Sequence, residues 1–159
     1  MNAPLNAPWP VVLCDDEPLA RARMITLLQR ADQGVEVMAE LGDAGAALGW
    51  LEAHPRGADV VFLDIQMPGL DGIQTTRRIR AFERSMGKEP VPIVAMTANG
   101  RDTYEERCVP AGIATAMRTQ ASYPPSPSRR TTAAKCASRA AATWYRAAAS
   151  TSRRSPKRA

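Results

Sequence analysis

In VFLDIQMPGLDG (Val61–Gly72) an apolar run ends on an acid, Asp64, directly ahead of a Met-Pro-Gly turn. A carboxylate is costly to bury without a partner, so this acid either belongs to the surface or has a site built around it. Reading outward from it decides which. Val60–Leu63 is unbroken in its apolarity, the mark of a strand buried on both faces, and it delivers Asp64 at its carboxyl end. After the Pro68-Gly69 turn a helix is expected from about Ile73 to Arg84, with Ile73, Thr76, Ile79 and Phe82 inward and a basic face outward.

The same alternation extends in both directions. Val11–Cys14 is a short apolar run followed by the acidic cluster Asp15-Asp16-Glu17, and Pro18 is placed to open a helix. In that helix Ala20, Met24, Leu27, Leu28 and Ala31 recur with a 3.6-residue period, and Gly34 is expected to stop it. Val35–Leu41 alternates strictly, with Val35, Val37, Ala39 and Leu41 on one side, which predicts a half-exposed strand. Asp43 can cap a second helix carrying Ala44, Ala47, Leu48 and Leu51 on one face and ending near His54-Pro55. Pro92–Met96 is a further continuously apolar strand with Thr97 at its end, and a last helix is expected over roughly Asp102–Val109.

Strands alternating with helices imply βαβ units and a parallel sheet with right-handed crossovers. Only the second strand alternates, which puts it at an edge, so the fold class is α/β with the flavodoxin-like doubly wound order 2-1-3-4-(5). In such sheets ligands bind beyond the carboxyl ends of the strands, where Asp15, Asp16, Asp64 and Thr97 all fall. Three carboxylates there repel unless a cation sits among them, and hard oxygen ligands without His or Cys suit Mg²⁺. Taken alone, an Asp pair after a strand is an ordinary helix cap and Thr97 a routine strand-end hydroxyl; their agreement with Asp64 favours the metal reading.

The 159 residues suffice for one domain and 45% hydrophobic content for a core. The net charge of +5 is unevenly distributed: residues 1–120 hold 12 Lys/Arg against 16 Asp/Glu, net −4, whereas residues 121–159 hold nine and no acid, net +9. Cys14, Cys108 and Cys136 are odd in number and widely spaced, with the single histidine His54, so neither a disulfide framework nor a zinc site is indicated. Cys14 and Cys108 read as packing residues and His54 as a helix-end surface residue. Neither a secretory leader nor a membrane span is apparent, so a soluble cytoplasmic protein without a membrane partner is expected.

CDDEP (14–18), FLDIQMPGLDG (62–72) and IVAMTAN (93–99), in this order, closely resemble the receiver domain of two-component response regulators. The start, DDEPLARAR, looks most like receivers with LytTR-type DNA-binding outputs, and RRIRAFER and IVAMTANGRDTYEERCVPAGI look like receivers of hybrid histidine kinases. The resemblance implies a phosphoacceptor module of a phosphorelay, a kinase substrate with weak self-phosphorylation and dephosphorylation rather than a metabolic enzyme. Asp64 would be the phosphoacceptor, taking a phosphoryl group from a histidine kinase or histidine phosphotransfer protein. Asp15, Asp16, Asp64 and the backbone carbonyl of Gln66 would hold Mg²⁺, and Thr97 would hydrogen-bond the phosphoryl group and act as a switch. A haloacid-dehalogenase-like phosphatase, which also places an Asp at a strand end, would need a second acid where Gln66 stands. A protein acting through its basic tail by nonspecific attachment to nucleic acid is the other alternative; the tail has no DNA-reading pattern, so no specific nucleic acid is expected.

The resemblance covers about residues 10–113 and then fails. It implies a fifth strand ending in Lys-Pro and a fifth helix, yet the lysine position falls on Thr119, the nearest cation is Arg118, and the aromatic switch position is Ala116. The sequence therefore divides into a flexible leader (1–9), a receiver-like domain (10–117) whose fifth strand and helix are missing or degenerate, and a tail (118–159). From Arg118 onward there is no Val, Leu, Ile, Met or Phe, so the tail is expected to be disordered. Thr115–Thr119 offers only a weak substitute strand, which would leave VPIVAM (91–96) as an exposed apolar edge prone to aggregation. Loss of the lysine would impair signalling. The hypothesis that accounts for the Ala, Arg, Pro, Ser and Thr composition is a shifted reading of GC-rich codons. One alternative frame of the coding DNA downstream of Ile113 is then expected to encode an apolar strand followed by Lys-Pro, and finding it in neither frame refutes the idea.

Overall fold

The computed structural model describes residues 8–30, 35–97 and 104–118. Five strands, β1 (Trp9–Cys14), β2 (Val35–Leu41), β3 (Val60–Asp64), β4 (Ile93–Thr97) and β5 (Thr115–Arg118), form one sheet in the order β2-β1-β3-β4-β5, every neighbouring pair parallel. Helices α1 (Pro18–Arg30), α2 (Ala44–Ala53) and α3 (Gly72–Ser85) connect the first four strands. Before β5, a π-helical turn, Tyr104–Cys108, runs into the short α4, Val109–Ala111. Pro110 lies in the first turn of α4, where its missing N–H removes no helical bond, and Gly112 ends it in the left-handed conformation at φ 91°.

The period-two side-chain pattern sorts the central strands into two cores. Val12, Cys14, Val61, Leu63, Ile93 and Ala95 face α2 and α3, meeting Ala47, Leu51, Ile73 and Ile79. Val11, Leu13, Val60, Phe62, Val94 and Met96 face the other way, where α1 supplies Met24, Leu27 and Leu28. Both faces are covered, so these strands must be apolar at every position. β2 is buried on one side only, at the edge where its alternation puts it.

Local chemistry fixes the boundaries. Asp43 caps α2 by accepting from the Ala46 N–H at 2.8 Å. Asp71 and Gln74 form a capping box on α3: the Asp71 carboxylate accepts from the Gln74 N–H at 2.7 Å, and the Gln74 side chain accepts from the Asp71 N–H. The inward face of α3 differs from expectation. Thr75 and Glu83 are buried, whereas Phe82 is half-buried. Glu83 is tolerated because both its oxygens are used, one taking Arg80 Nη1 at 2.6 Å and the other the Val91 N–H at 2.7 Å. Arg80 also donates from Nη2 to the carbonyls of Val91 and Gly112, each at 2.8 Å, and so ties α3 to the entry of β4 and to the turn ahead of β5.

The expectation of a missing fifth strand is corrected here, and the weak substitute strand expected at Thr115–Thr119 is the one that forms, over Thr115–Arg118. Thr115–Arg118 pairs in parallel with Val94–Thr97, so β4 is an interior strand and VPIVAM is not an open edge. Strand pairing uses backbone groups, and an edge strand held by the ladder and by the Arg80–Gly112 anchor does not need the apolar run an interior strand needs. The flexible leader up to residue 7, the stop at Gly34, the start of the last helix at Asp102, the fifth helix and the tail beyond Arg118 lie outside the described residues.

One glycine decides how α3 meets β3. A Cβ on Gly72 would collide with the carbonyl oxygen of Asp64 and lie 2.8 Å from the Ile65 Cα, both backbone atoms with nowhere to move. Gly72→Ala is therefore expected to lower stability by about 2–3 kcal/mol in urea unfolding; a midpoint unchanged from the native chain would show that the contact relaxes freely.

Candidate functional site

Three acids converge at the carboxyl end of the sheet. β1 ends at Cys14 and the chain enters a tight turn before α1, which puts Asp15 and Asp16 at the tip. β3, the neighbour of β1, ends on Asp64 itself. One carboxylate oxygen from each of Asp15, Asp16 and Asp64 lies within 4.8 Å of the others, a group that could hold a metal ion. Asp15 is buried, Asp64 half-buried and Asp16 exposed, so the cluster is a shallow pocket open on one side.

Backbone groups hold two of the acids. Asp15 Oδ1 accepts from the Glu17 N–H at 2.8 Å, and Asp64 Oδ1 from the Gln66 N–H at 3.1 Å. The Asp15 N–H donates to the Leu41 carbonyl at 3.1 Å, tying the turn to the end of β2. Arg21, on the second turn of α1, donates from Nη1 to the Asp15 carbonyl at 2.6 Å. The Asp64 carboxyl is pushed above its ordinary value of 3.8, first by burial, with the nearby Asp15 and Asp16 charges adding and the Gln66 N–H opposing. Asp15 is raised likewise, chiefly by burial and then by Asp16 and Glu17, against the Glu17 N–H and Arg21. Cys14, immediately before the cluster, is fully buried; burial and then Asp43, Asp15 and Asp64 push its thiol up to about 12. It packs against Met67, Sγ to Sδ 3.6 Å.

Of the residues singled out in the sequence, Asp15, Asp16 and Asp64 are brought together as expected. Gln66 meets Asp64 through its N–H. Thr97 is buried at the end of β4, one residue beyond Met96, the register partner of Asp64, and its own partner on β5 is Arg118. The lysine position at Thr119 lies outside the described residues, and Ala116 pairs with Ala95. His54 is exposed, its ring stacked on Trp50. Sequence reasoning missed Arg21, which lies off the apolar face of α1; its spacing one and a half turns beyond the Asp pair was the available signal.

Folding is linked to these acids with a definite sign. A carboxyl raised in the folded state binds protons more tightly there than in the unfolded chain, so its contribution to stability is full below the unfolded value, near 3.8, and is lost as pH rises through the folded value. In EDTA, Asp64→Asn is therefore expected to raise the melting temperature at pH 7 and to leave it unchanged near pH 3. A variant that melts at or below the native temperature at pH 7 would show that the acids are not under strain.

The sequence pattern of the family described as "response regulator receiver domain" matches residues 11–118. The sensor protein GacS of Pseudomonas syringae pv. syringae is 37% identical over 114 residues, an overlap that takes in 71% of this chain and 12% of that protein, so the chain spans only a small part of the relative's length. Among solved structures, the receiver domain of the histidine kinase CKI1 from Arabidopsis thaliana, complexed with Mg²⁺, superposes with a TM-score of 0.60 at 25% identity over 71% of this chain and 85% of that one. The signal receiver domain of the putative response regulator NarL from Mycobacterium tuberculosis superposes with a TM-score of 0.64 at 23% identity over 94% and 99% of the two chains, a likeness of fold. Among the described residues no helix is long and apolar enough to cross a membrane.

Proposed function

Because the chain belongs to the response regulator receiver domain family, we propose that its phosphoacceptor is Asp64 and that Asp15, Asp16 and Asp64 hold Mg²⁺ beside it. The observation that carries this reading is the convergence of the three carboxylates within 4.8 Å at the ends of two adjacent strands. Three anionic oxygens, with no histidine or thiolate in the group, match the hard-cation preference of Mg²⁺, and the carboxyls of Asp15 and Asp64 are raised chiefly by burial, with neighbouring acids adding. The relative crystallised with Mg²⁺ supports the choice of ion.

The chemistry is transfer of a phosphoryl group from a histidine nitrogen to a carboxylate. The free Asp64 oxygen attacks phosphorus, the new O–P bond forms as the P–N bond breaks, and the histidine nitrogen recovers its electron pair. The Gln66 N–H steadies the other Asp64 oxygen and so orients the nucleophile. When bound, Mg²⁺ supplies compensation for charge on the phosphoryl oxygens. The Thr97 hydroxyl, at the end of the strand beside β3, would donate to a phosphoryl oxygen, and drawing β4 toward it would shift the neighbouring α4–β5 surface. The Gln66 carbonyl completes the proposed ligand set. The donor is a histidine kinase or histidine phosphotransfer protein, a choice supported by the kinase receiver among the relatives, and the proposed site of action is the cytoplasm. The module is a kinase substrate with weak self-phosphorylation, slowed by the absence of the family lysine.

Incubation with Mg²⁺ and acetyl phosphate is expected to add one phosphoryl group to the native chain and none to Asp64→Asn, read by intact mass in acid-quenched samples. Equal labelling of both chains, or none of the native chain at saturating donor, overturns the assignment.

A further inference from the structure

Arg21 is the cation that the described structure binds to the acidic turn, and it does so through the backbone. Its Nη1 donates to the Asp15 carbonyl at 2.6 Å, bridging from the second turn of α1 to the residue that starts the acidic pair. The guanidinium is half-buried and extends over the loop between β2 and α2, where a Cβ on Gly42 would lie 3.5 Å from Nη1 and 4.0 Å from Cζ. With this contact all of Asp15 is fixed: its N–H to the Leu41 carbonyl, its carboxylate to the Glu17 N–H, its carbonyl to Arg21.

Asp16 follows on that peptide. The unit joining Asp15 to Asp16 is planar, so holding its oxygen fixes the direction of the Asp16 N–H and limits where the Asp16 Cα and side chain can stand. Asp16 is exposed and shares the 4.8 Å cluster with Asp15 and Asp64, so its aim depends on that plane. A charge-assisted hydrogen bond of this kind is among the stronger ones available to a loop.

We propose that Arg21 is a positioning residue of the metal site, holding the Asp15–Asp16 peptide so that the Asp16 carboxylate faces Asp15 and Asp64. This rests on the reading of the three acids as a Mg²⁺ site. Two effects of the guanidinium on a bound cation have opposite signs, and that makes the proposal testable. A positive charge near the site repels Mg²⁺, so removing charge alone would tighten binding. Loss of positioning would loosen it.

The experiment is Mg²⁺ titration of the full chain, followed by amide NMR of residues 15–17 and 64–66, for the native protein, Arg21→Met, Arg21→Gln and Arg21→Lys. Weakening by roughly tenfold in the Met and Gln variants, the range for loss of a group that orients a metal ligand, is expected. Arg21→Lys, which keeps the charge and an N–H donor on a shorter side chain, is expected to recover part of the affinity. With acetyl phosphate as donor, labelling of the Met variant is expected to need more Mg²⁺ but to approach the native rate once Mg²⁺ saturates, a split that general loss of folding would not give. Unchanged or tighter Mg²⁺ binding in both neutral variants overturns the proposal while leaving the metal site itself intact. Absence of Mg²⁺ binding by the native chain removes the site and the proposal together. If Arg21→Met does not fold, the Gln variant carries the same comparison.

Discussion

Mutual repulsion among Asp15, Asp16 and Asp64 is the constraint around which this structure is organised. Carboxylate oxygens within 4.8 Å of one another would drift apart in a flexible chain. They stay together because β1 and β3 are adjacent and buried on both faces, so neither strand end can retreat without exposing core. Apolar packing thus holds a polar site in a state it would not choose, and burial, with the neighbouring acids adding to it, raises the carboxyls of Asp15 and Asp64.

The opposite end of the sheet is secured by different means. There Arg80 and Glu83 reach from α3 to Val91 and Gly112 through hydrogen bonds and an ion pair with each other. The amino ends of β4 and β5 are therefore fastened to α3, whereas their carboxyl ends lie beside the acidic pocket with Thr97 and Arg118 in register.

Much of this was legible in the sequence because burial leaves a period. The alternation of Val35–Leu41 matches its half-buried pattern residue by residue, and the unbroken runs at Val11–Cys14, Val60–Leu63 and Ile93–Met96 match strands covered on both faces. The acids were legible because strand ends in a parallel sheet share one rim. Thr115–Arg118 was legible only as a weak substitute strand, since an edge strand joined through its backbone need not announce itself by side chains. Nor were Glu83 and Arg21: a charged residue on a helix looks solvated until its partners, 8 and 6 residues away, are seen to fold back onto it.

The depth at which Cys14 lies has a consequence of its own. Cys14 is fully covered, its thiol is pushed up to about 12 by burial and the neighbouring acids, and Cys108 is buried with its thiol raised, chiefly by burial. Peroxide and electrophiles react with exposed thiolates, and burial disfavours that form at both sulfurs. The acids next door thus have as their neighbour a sulfur that packing has withdrawn from oxidative chemistry.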